Sequence, residues 1–122
     1  MSGDVKNRGL WGESVARAHL ESRGLRFMEF GYTTRFGEID LIMRDGDIVV
    51  FVEVKLRRNR DFAEAREFVT QAKRKRLRTT AQIWLNAHDA DERCRFDVVE
   101  VYASDGVRTE RPEVVHIPDA FE

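Results

Sequence analysis

Residues 37–55 combine two apolar β-strand patterns with three charged residues, and this combination limits what the chain can fold into. The pair Asp45-Gly46 predicts a tight turn between the strands, because Asp-Gly is among the strongest hairpin signals. Asp40 interrupts the first apolar run, and Glu53 and Lys55 interrupt the second. Strand interiors are poor in Asp, Glu and Lys, and a buried charge is costly unless it is paired or binds a metal. The hairpin therefore needs a partner for its charges.

The register of the hairpin decides which of these charges share a face. Side chains two residues apart in a strand lie on one face, so Asp40 and Glu38 lie together. With the Asp-Gly pair as the two turn residues, Arg44 pairs with Asp47. Glu38 is then opposite Glu53, and Asp40 is diagonal to Glu53 on the same face, roughly 7–8 Å away. A slip of one residue would separate the two carboxylates onto opposite faces.

Two carboxylates and a lysine on one face indicate a metal site for phosphate chemistry. Asp40 and Glu53 offer the hard oxygen ligands that Mg²⁺ and Mn²⁺ prefer. Lys55 lies two residues from Glu53, so its ammonium points to the same space, where it can stabilise charge that develops on a phosphorus centre. The alternative is a set of structural ion pairs, Glu53 with Lys55 or Asp40 with an arginine. Three inward charges among Ile, Val and Phe favour the metal site.

The composition fits a single soluble domain over residues 1–122, with flexible tails at 1–8 and 118–122. Hydrophobic residues make up 42% of the chain and charged residues 35%. No apolar run approaches the ~20 residues of a membrane span, and the N-terminus lacks the apolar core of a signal peptide, so a cytoplasmic location is expected. Cys94 is the single cysteine, which excludes an internal disulfide and a cysteine-based zinc site.

Positive charge is concentrated between residues 55 and 78. This segment holds ten basic and three acidic side chains, although the whole chain has a net charge of −1. A concentrated basic patch is the usual footprint of nucleic-acid binding, and the alternative is a solvated helix face. The candidate phosphate contacts are Arg57, Arg58, Arg60, Lys73, Arg74, Lys75, Arg76 and Arg78.

The hydrophobic spacing predicts an α/β fold. Helices are predicted over residues 6–23 and 70–86, the second with a buried stripe at helical spacing. Outside the hairpin, strands are predicted at 25–30, 96–102 and 114–117, with a turn at Gly31 and the last strand ending at Pro118. Residues 62–68 favour neither a helix nor a loop. This order of elements predicts a central mixed sheet flanked by helices.

The charged hairpin also resembles a known signature. Ile39-Asp40 followed by Glu53-Val54-Lys55 is similar to the PD-(D/E)XK nuclease motif. The longer pattern, with Gly12-Glu13 upstream and residues 95–99 downstream, resembles the YraN-type family (UPF0102) of predicted endonucleases. The resemblance covers residues 9–101. It implies a restriction-endonuclease-like fold similar to that of archaeal Holliday junction resolvases.

The resemblance also implies roles for individual residues. Asp40, Glu53 and the backbone carbonyl of Val54 would bind Mg²⁺ or Mn²⁺, and Lys55 would be the catalytic lysine. Glu13 would reach the metal or its water from the first helix, whereas its spacing alone is typical of a surface residue paired with a nearby arginine.

The second helix and the turn before the hairpin hold further candidates. Gln71 and Lys75 would support the site from the second helix. Two roles stay open for Glu38, which is either a further ligand or the partner of Arg35.

The implied function is metal-dependent hydrolysis of DNA, at branched or otherwise structured substrates. Two alternatives remain: a nuclease that acts on RNA, and a binding module that holds nucleic acid without cutting it. A homodimer is expected if the protein cuts both strands or junctions, because two-fold symmetry matches such substrates.

Overall fold

Five strands form one sheet in chain order, β1-β2-β3-β4-β5. All neighbours are antiparallel except β3 and β4, which are parallel and are connected through the second helix. The computed structural model describes residues 2–58, 70–88 and 93–121, with side chains from residue 9 onwards. The elements are α1 (Ser2–Ser22), β1 (Arg26–Thr34), β2 (Gly37–Asp45), β3 (Ile48–Arg57), α2 (Gln71–Ala87), β4 (Cys94–Tyr102), a short 3-10 helix (Gly106–Arg108) and β5 (Glu113–Phe121).

The two helices cover opposite faces of the sheet. Ala16 and Leu20 of α1 pack on one face, and the buried stripe of α2, which includes Leu77 and Trp84, packs on the other. Strands covered on both faces have nearly continuous apolar sequences, which is why β2 and β3 lack strict alternation. The predicted α/β class with a mixed sheet flanked by helices is confirmed, and the arrangement is consistent with a restriction-endonuclease-like fold. Of the helices described, none is long and apolar enough to span a membrane.

The predicted register of the central hairpin is wrong by two residues. Asp45 pairs with Ile48, so the turn residues are Gly46 and Asp47 rather than Asp45 and Gly46. Gly46 has φ 60° and occupies the first central position, where type II′ turns require glycine. Arg44 consequently pairs with Val49 instead of Asp47. A slip of two residues does not by itself move a side chain to the other face. Strict alternation nevertheless fails beside Asp40, because Ile39 packs with Ile42 in the core under α2 while Leu41 packs on the α1 side.

Gly37 at the start of β2 permits a close approach of α2. A Cβ atom at this position would lie 3.4 Å from Thr80 Oγ1 and 3.5 Å from Arg76 Cβ. The Thr80 hydroxyl is fully buried and donates a hydrogen bond to the carbonyl of Arg76 at 2.8 Å. The N-terminal half of α2 is thus held directly against the hairpin.

Both outer strands are longer than their sequences predict. β1 continues through Gly31 to Thr34, so the predicted turn at Gly31 is wrong. β5 continues through Pro118 to Phe121, whose ring is buried and stacks on Phe96 at 5.1 Å. The predicted tail is therefore wrong for residues 118–121. Proline is tolerated there because β5 is an edge strand.

The helix predictions differ less from the structure. α2 matches its predicted range to within a residue, and the Thr70 side chain accepts a hydrogen bond from Lys73 N as the N-cap. α1 begins at Ser2, earlier than predicted. Residues 62–68, for which the sequence favoured no structure, lie outside the described ranges.

Asp97 anchors β4 to β5 through a buried polar network. Its carboxylate accepts hydrogen bonds from Arg95 Nε at 3.0 Å and from the backbone N–H of Asp119 at 2.9 Å. His116 Nε2 lies 2.7 Å from the same carboxylate. Burial would raise the pKa of Asp97, but the hydrogen bonds from His116, Arg95 and Asp119 outweigh burial and lower the pKa below its usual value of 3.8. The folded state is therefore more stable when the Asp97 carboxyl group is ionised.

Asp97→Asn should lower the free energy of unfolding at pH 7 by on the order of 3 kcal/mol, because it removes one partner of a buried charge network. A depressed carboxyl pKa contributes stability above the unfolded value of about 4, which is lost as the pH falls through the folded pKa. The difference between the two proteins should therefore shrink as urea unfolding is repeated from pH 7 down to pH 3. Asp105→Asn, at an exposed position, is the control and should change stability by less than about 0.5 kcal/mol. An equal loss at both pH values would contradict this role.

Candidate active site

The candidate site lies where β2 and β3 stop pairing. Their last paired residues are Leu41 and Val52, and Asp40 and Glu53 each lie one residue beyond them. At this point the N–H of Val54 donates to Asp40 Oδ2 at 2.9 Å. A side chain thus takes the place of a backbone acceptor, and it fixes the Asp40 carboxylate beside the backbone of Val54. Glu53 contacts Lys73 of α2, so it lies on the face that α2 covers.

Asp40 lies in a strongly negative environment. Burial raises its pKa most, and Glu53 raises it next, while the hydrogen bond from Val54 N opposes them. Glu13 and Glu38 add smaller upward contributions, and the pKa of Asp40 reaches about 7. Burial and the three negative charges disfavour the ionised carboxylate, whereas the hydrogen bond from Val54 N favours it. A cation placed among these groups would relieve both the burial and the repulsion.

Glu13 enters the same cluster from α1. Its pKa is also raised to about 7, by burial first and then by Glu38 and Glu53. The surface alternative paired Glu13 with Arg17, but Arg17 contacts Glu21 at 3.3 Å and its guanidinium lies 3.7 Å from the Phe27 ring centroid. Glu13 is therefore close enough to Glu38 and Glu53 for their charges to raise its pKa, and Arg17 is engaged elsewhere.

The two residues whose roles the sequence left open lie at the rim of the cluster. Glu38 is exposed and pairs with Thr33 of β1. The predicted position opposite Glu53 is wrong, because the register of β2 with β3 differs by two residues and their pairing ends at Leu41 and Val52. The charge of Glu38 nevertheless raises the pKa of Glu13 and Asp40. Arg35 lies over the ring of Phe36 at 4.8 Å from the centroid.

Two lysines share one oxygen of Glu53. Lys73 Nζ of α2 lies 2.5 Å from Glu53 Oε1, and Lys55 Nζ lies 3.3 Å from the same atom. Burial and the neighbouring Lys73 lower the pKa of Lys55, although Glu53 opposes them. Burial would also lower the pKa of Lys73, but the hydrogen bond and charge of Glu53 outweigh it and raise that pKa. Lys73 is thus the firmly protonated partner of Glu53.

Lys73 was predicted only as a phosphate contact, and its contact with Glu53 was missed. A sequence signal for it exists, because Lys73 precedes Leu77 by four residues and so extends the buried stripe of α2 by one turn. Gln71 and Lys75, the residues predicted to support the site from α2, are exposed. Their spacing places them beside the stripe rather than on it.

The remaining predicted phosphate contacts divide into two groups. Arg57 is half-buried, with its Nε 3.5 Å from the fully buried carboxylate of Glu100, so it faces the sheet interior. Arg58, Arg76 and Arg78 are exposed, and Arg74 lies over the ring of Phe121 at 5.4 Å. Arg60 lies outside the described residues.

The chemistry of these donors fits a hard divalent cation. Asp40, Glu53 and Glu13 supply carboxylate oxygens, the type of ligand that Mg²⁺ and Mn²⁺ prefer. Within residues 9–58, 70–88 and 93–121, however, no three acidic, histidine or cysteine side chains are already grouped as a metal cage. The ammonium of Lys73 instead contacts the Glu53 oxygen that such a cage would use.

Asp40→Asn should raise the melting temperature of the metal-free protein at pH 8, by on the order of 4 °C. The substitution removes a repelled charge and retains an oxygen that can accept from Val54 N. Because the folded pKa of Asp40 is raised to about 7, its ionisation destabilises the fold increasingly as the pH rises from about 4 to above 7. The gain should grow over that range in thermal melts with a chelator present. Asp47→Asn, at an 83% exposed side chain, is the control. A lower melting temperature for Asp40→Asn at pH 8 would contradict the account.

Comparison with known sequences agrees with the resemblance. The profile of the uncharacterised protein family UPF0102 matches residues 12–101. A UPF0102 protein of Vibrio campbellii is 46% identical over 97 residues, covering 75% of this chain and 78% of the relative. A UPF0102 protein of Pseudomonas aeruginosa is 43% identical over 119 residues, covering 96% and 94%. The matched range contains the whole carboxylate and lysine cluster, and the chain belongs to the UPF0102 family.

Proposed function

We propose that the protein is a Mg²⁺- or Mn²⁺-dependent endonuclease that hydrolyses phosphodiester bonds of DNA, at branched or otherwise structured sites. One observation carries this proposal: Val54 N holds the Asp40 carboxylate where β2 and β3 stop pairing, the charges of Glu53 and Glu13 raise its pKa there, and Lys55 contacts Glu53. Mutually repelling carboxylates raise each other's pKa and destabilise the fold. Such clusters are typical of functional sites rather than of structural ion pairs.

The residues would divide the work by their chemistry. Asp40, Glu53 and the carbonyl of Val54 would hold the divalent cation, with Glu13 added from α1. A bound cation of this kind supplies Lewis-acid activation of the phosphodiester and of the attacking water. Lys55 would place its positive charge beside the reacting phosphate and stabilise the charge that develops there.

The surface near the cluster suits a polyanion. The N-terminus of α2 carries the positive end of the helix dipole, which favours negative groups. The first turn contains no acidic residue that would neutralise this positive end. The exposed residues Lys75, Arg76 and Arg78 extend this positive surface along the helix. At the end of β3, the exposed Arg58 lines a cavity of about 150 Å³. These contacts would bind phosphates irrespective of sequence and would weaken as salt increases.

A binding module without catalysis is the rival function. The observation that favours it is the pair of ion contacts on Glu53, since Lys55 and Lys73 compensate this charge without a metal. Against it, Asp40 and Glu13 keep pKa values raised to about 7. A module that only binds nucleic acid gains nothing from two partly buried carboxylates that repel each other.

Cleavage of linear, branched and single-stranded DNA and of RNA, each with Mg²⁺ or Mn²⁺, tests the proposal. The natural protein should cut DNA, and Asp40→Asn and Lys55→Ala should each reduce the single-turnover rate at least about 100-fold. Both variants should still bind DNA in a gel-shift assay, because the exposed basic surface of α2 is unchanged. Asp47→Asn again serves as the control. Binding without cutting by the natural protein, with every metal and substrate, would favour the module, and cleavage of RNA alone would change the substrate.

A further inference from the structure

We propose that Lys73 is an exchangeable counter-cation: it neutralises Glu53 while no metal is bound, and a divalent cation displaces it. This inference rests on the proposed metal site and adds a role for Lys73 beyond contact with phosphate. In this order of events, the Lys73 side chain leaves Glu53 when the divalent cation binds.

The geometry separates Lys73 from Lys55. Both ammonium groups contact Glu53 Oε1, at 2.5 Å and 3.3 Å. Lys55 extends from the same strand as Glu53, and its side chain is 21% exposed. Lys73 extends from the first turn of α2 and is 32% exposed, whereas Glu53 is only 7% exposed. The shorter contact is therefore made by the more exposed side chain, which can turn outward into solvent on its flexible stem.

The charge around Glu53 makes exchange more favourable than addition. If a divalent cation bound Asp40 and Glu53 while both lysines stayed, three cations would crowd one carboxylate and repel one another. If Lys73 leaves, the cation replaces its charge and gains the Glu53 oxygen that Lys73 contacted.

The released ammonium has a destination on the same surface. Lys73 lies about one turn from the exposed Arg76 on a helix whose first turn has no acidic residue. A phosphate approaching the bound cation would meet Lys73 at this end of α2. Displacement by the metal would thus make a phosphate contact available only after the metal has bound.

The rival role is a fixed ion pair that orients Glu53 for the metal. The two roles predict opposite effects of removing the ammonium. A competitor weakens metal binding, so its removal tightens binding, whereas the loss of an orienting partner weakens it.

The test is titration calorimetry with Mn²⁺, without nucleic acid, at pH 8. Lys73→Met should lower the Kd for Mn²⁺ about tenfold or more, the effect of removing one charge-assisted competitor. Lys73→Arg keeps the positive charge, and it should bind Mn²⁺ no more tightly than the natural protein. Lys75→Met removes the same charge from the exposed side of the same helix, and its Kd should stay within about twofold. Melting curves with a chelator should show Lys73→Met folded but less stable, since Glu53 has lost its partner.

The outcomes separate this inference from the function it rests on. An unchanged or higher Kd for Lys73→Met overturns the exchange, while Mn²⁺ binding that is lost in Asp40→Asn keeps the metal site. Equal tightening in Lys75→Met also overturns it, because the effect would then be general electrostatics. If Mn²⁺ binds neither the natural protein nor Lys73→Met, the metal site and the exchange both fail. Should Lys73→Met fail to fold, Lys73→Gln provides the same comparison.

Discussion

The electrostatic repulsion among carboxylates at the end of the β2–β3 ladder is the constraint on which the site depends. Asp40 takes a hydrogen bond from Val54 N beyond the last strand pair, so the backbone itself fixes one carboxylate near Glu53. Burial and repulsion raise the pKa of both Asp40 and Glu13 to about 7, so their ionised forms destabilise the fold. A cation, whether an ammonium or a metal, is the natural means of offsetting this destabilisation.

The rest of the fold supplies rigidity to this unfavourable cluster. The α1 helix packs Ala16 and Leu20 on one face of the sheet, and this packing delivers Glu13 to the end of the hairpin. On the other face α2 packs through Leu77 and Trp84, and the same stripe delivers Lys73. The hydrophobic packing of the two helices therefore keeps Glu13 and Lys73 near the charged residues of the hairpin. Flexible side chains on an open surface would move apart instead.

The period of two in a strand predicts faces only where the strand is regular. It places Glu53 on the α2 face, where Glu53 contacts Lys73, but β2 does not alternate strictly beside Asp40, since Ile39 and Ile42 both pack under α2, and the register of the hairpin differs by two residues. The contact of Lys73 could not be predicted from charge counts, since these treat all basic residues of α2 alike. The path of β5 through Pro118 depends on its place at the sheet edge, which the local sequence does not specify.

The most direct test of the account is the position of a bound metal. Crystals grown with Mn²⁺ and measured at a wavelength where manganese scatters anomalously would locate the ion without assumptions about the ligands. We expect an anomalous manganese peak within about 2.5 Å of carboxylate oxygens of both Asp40 and Glu53, with Lys73 Nζ moved away from Glu53. An ion bound only at other carboxylates, with Lys73 still on Glu53, would contradict it.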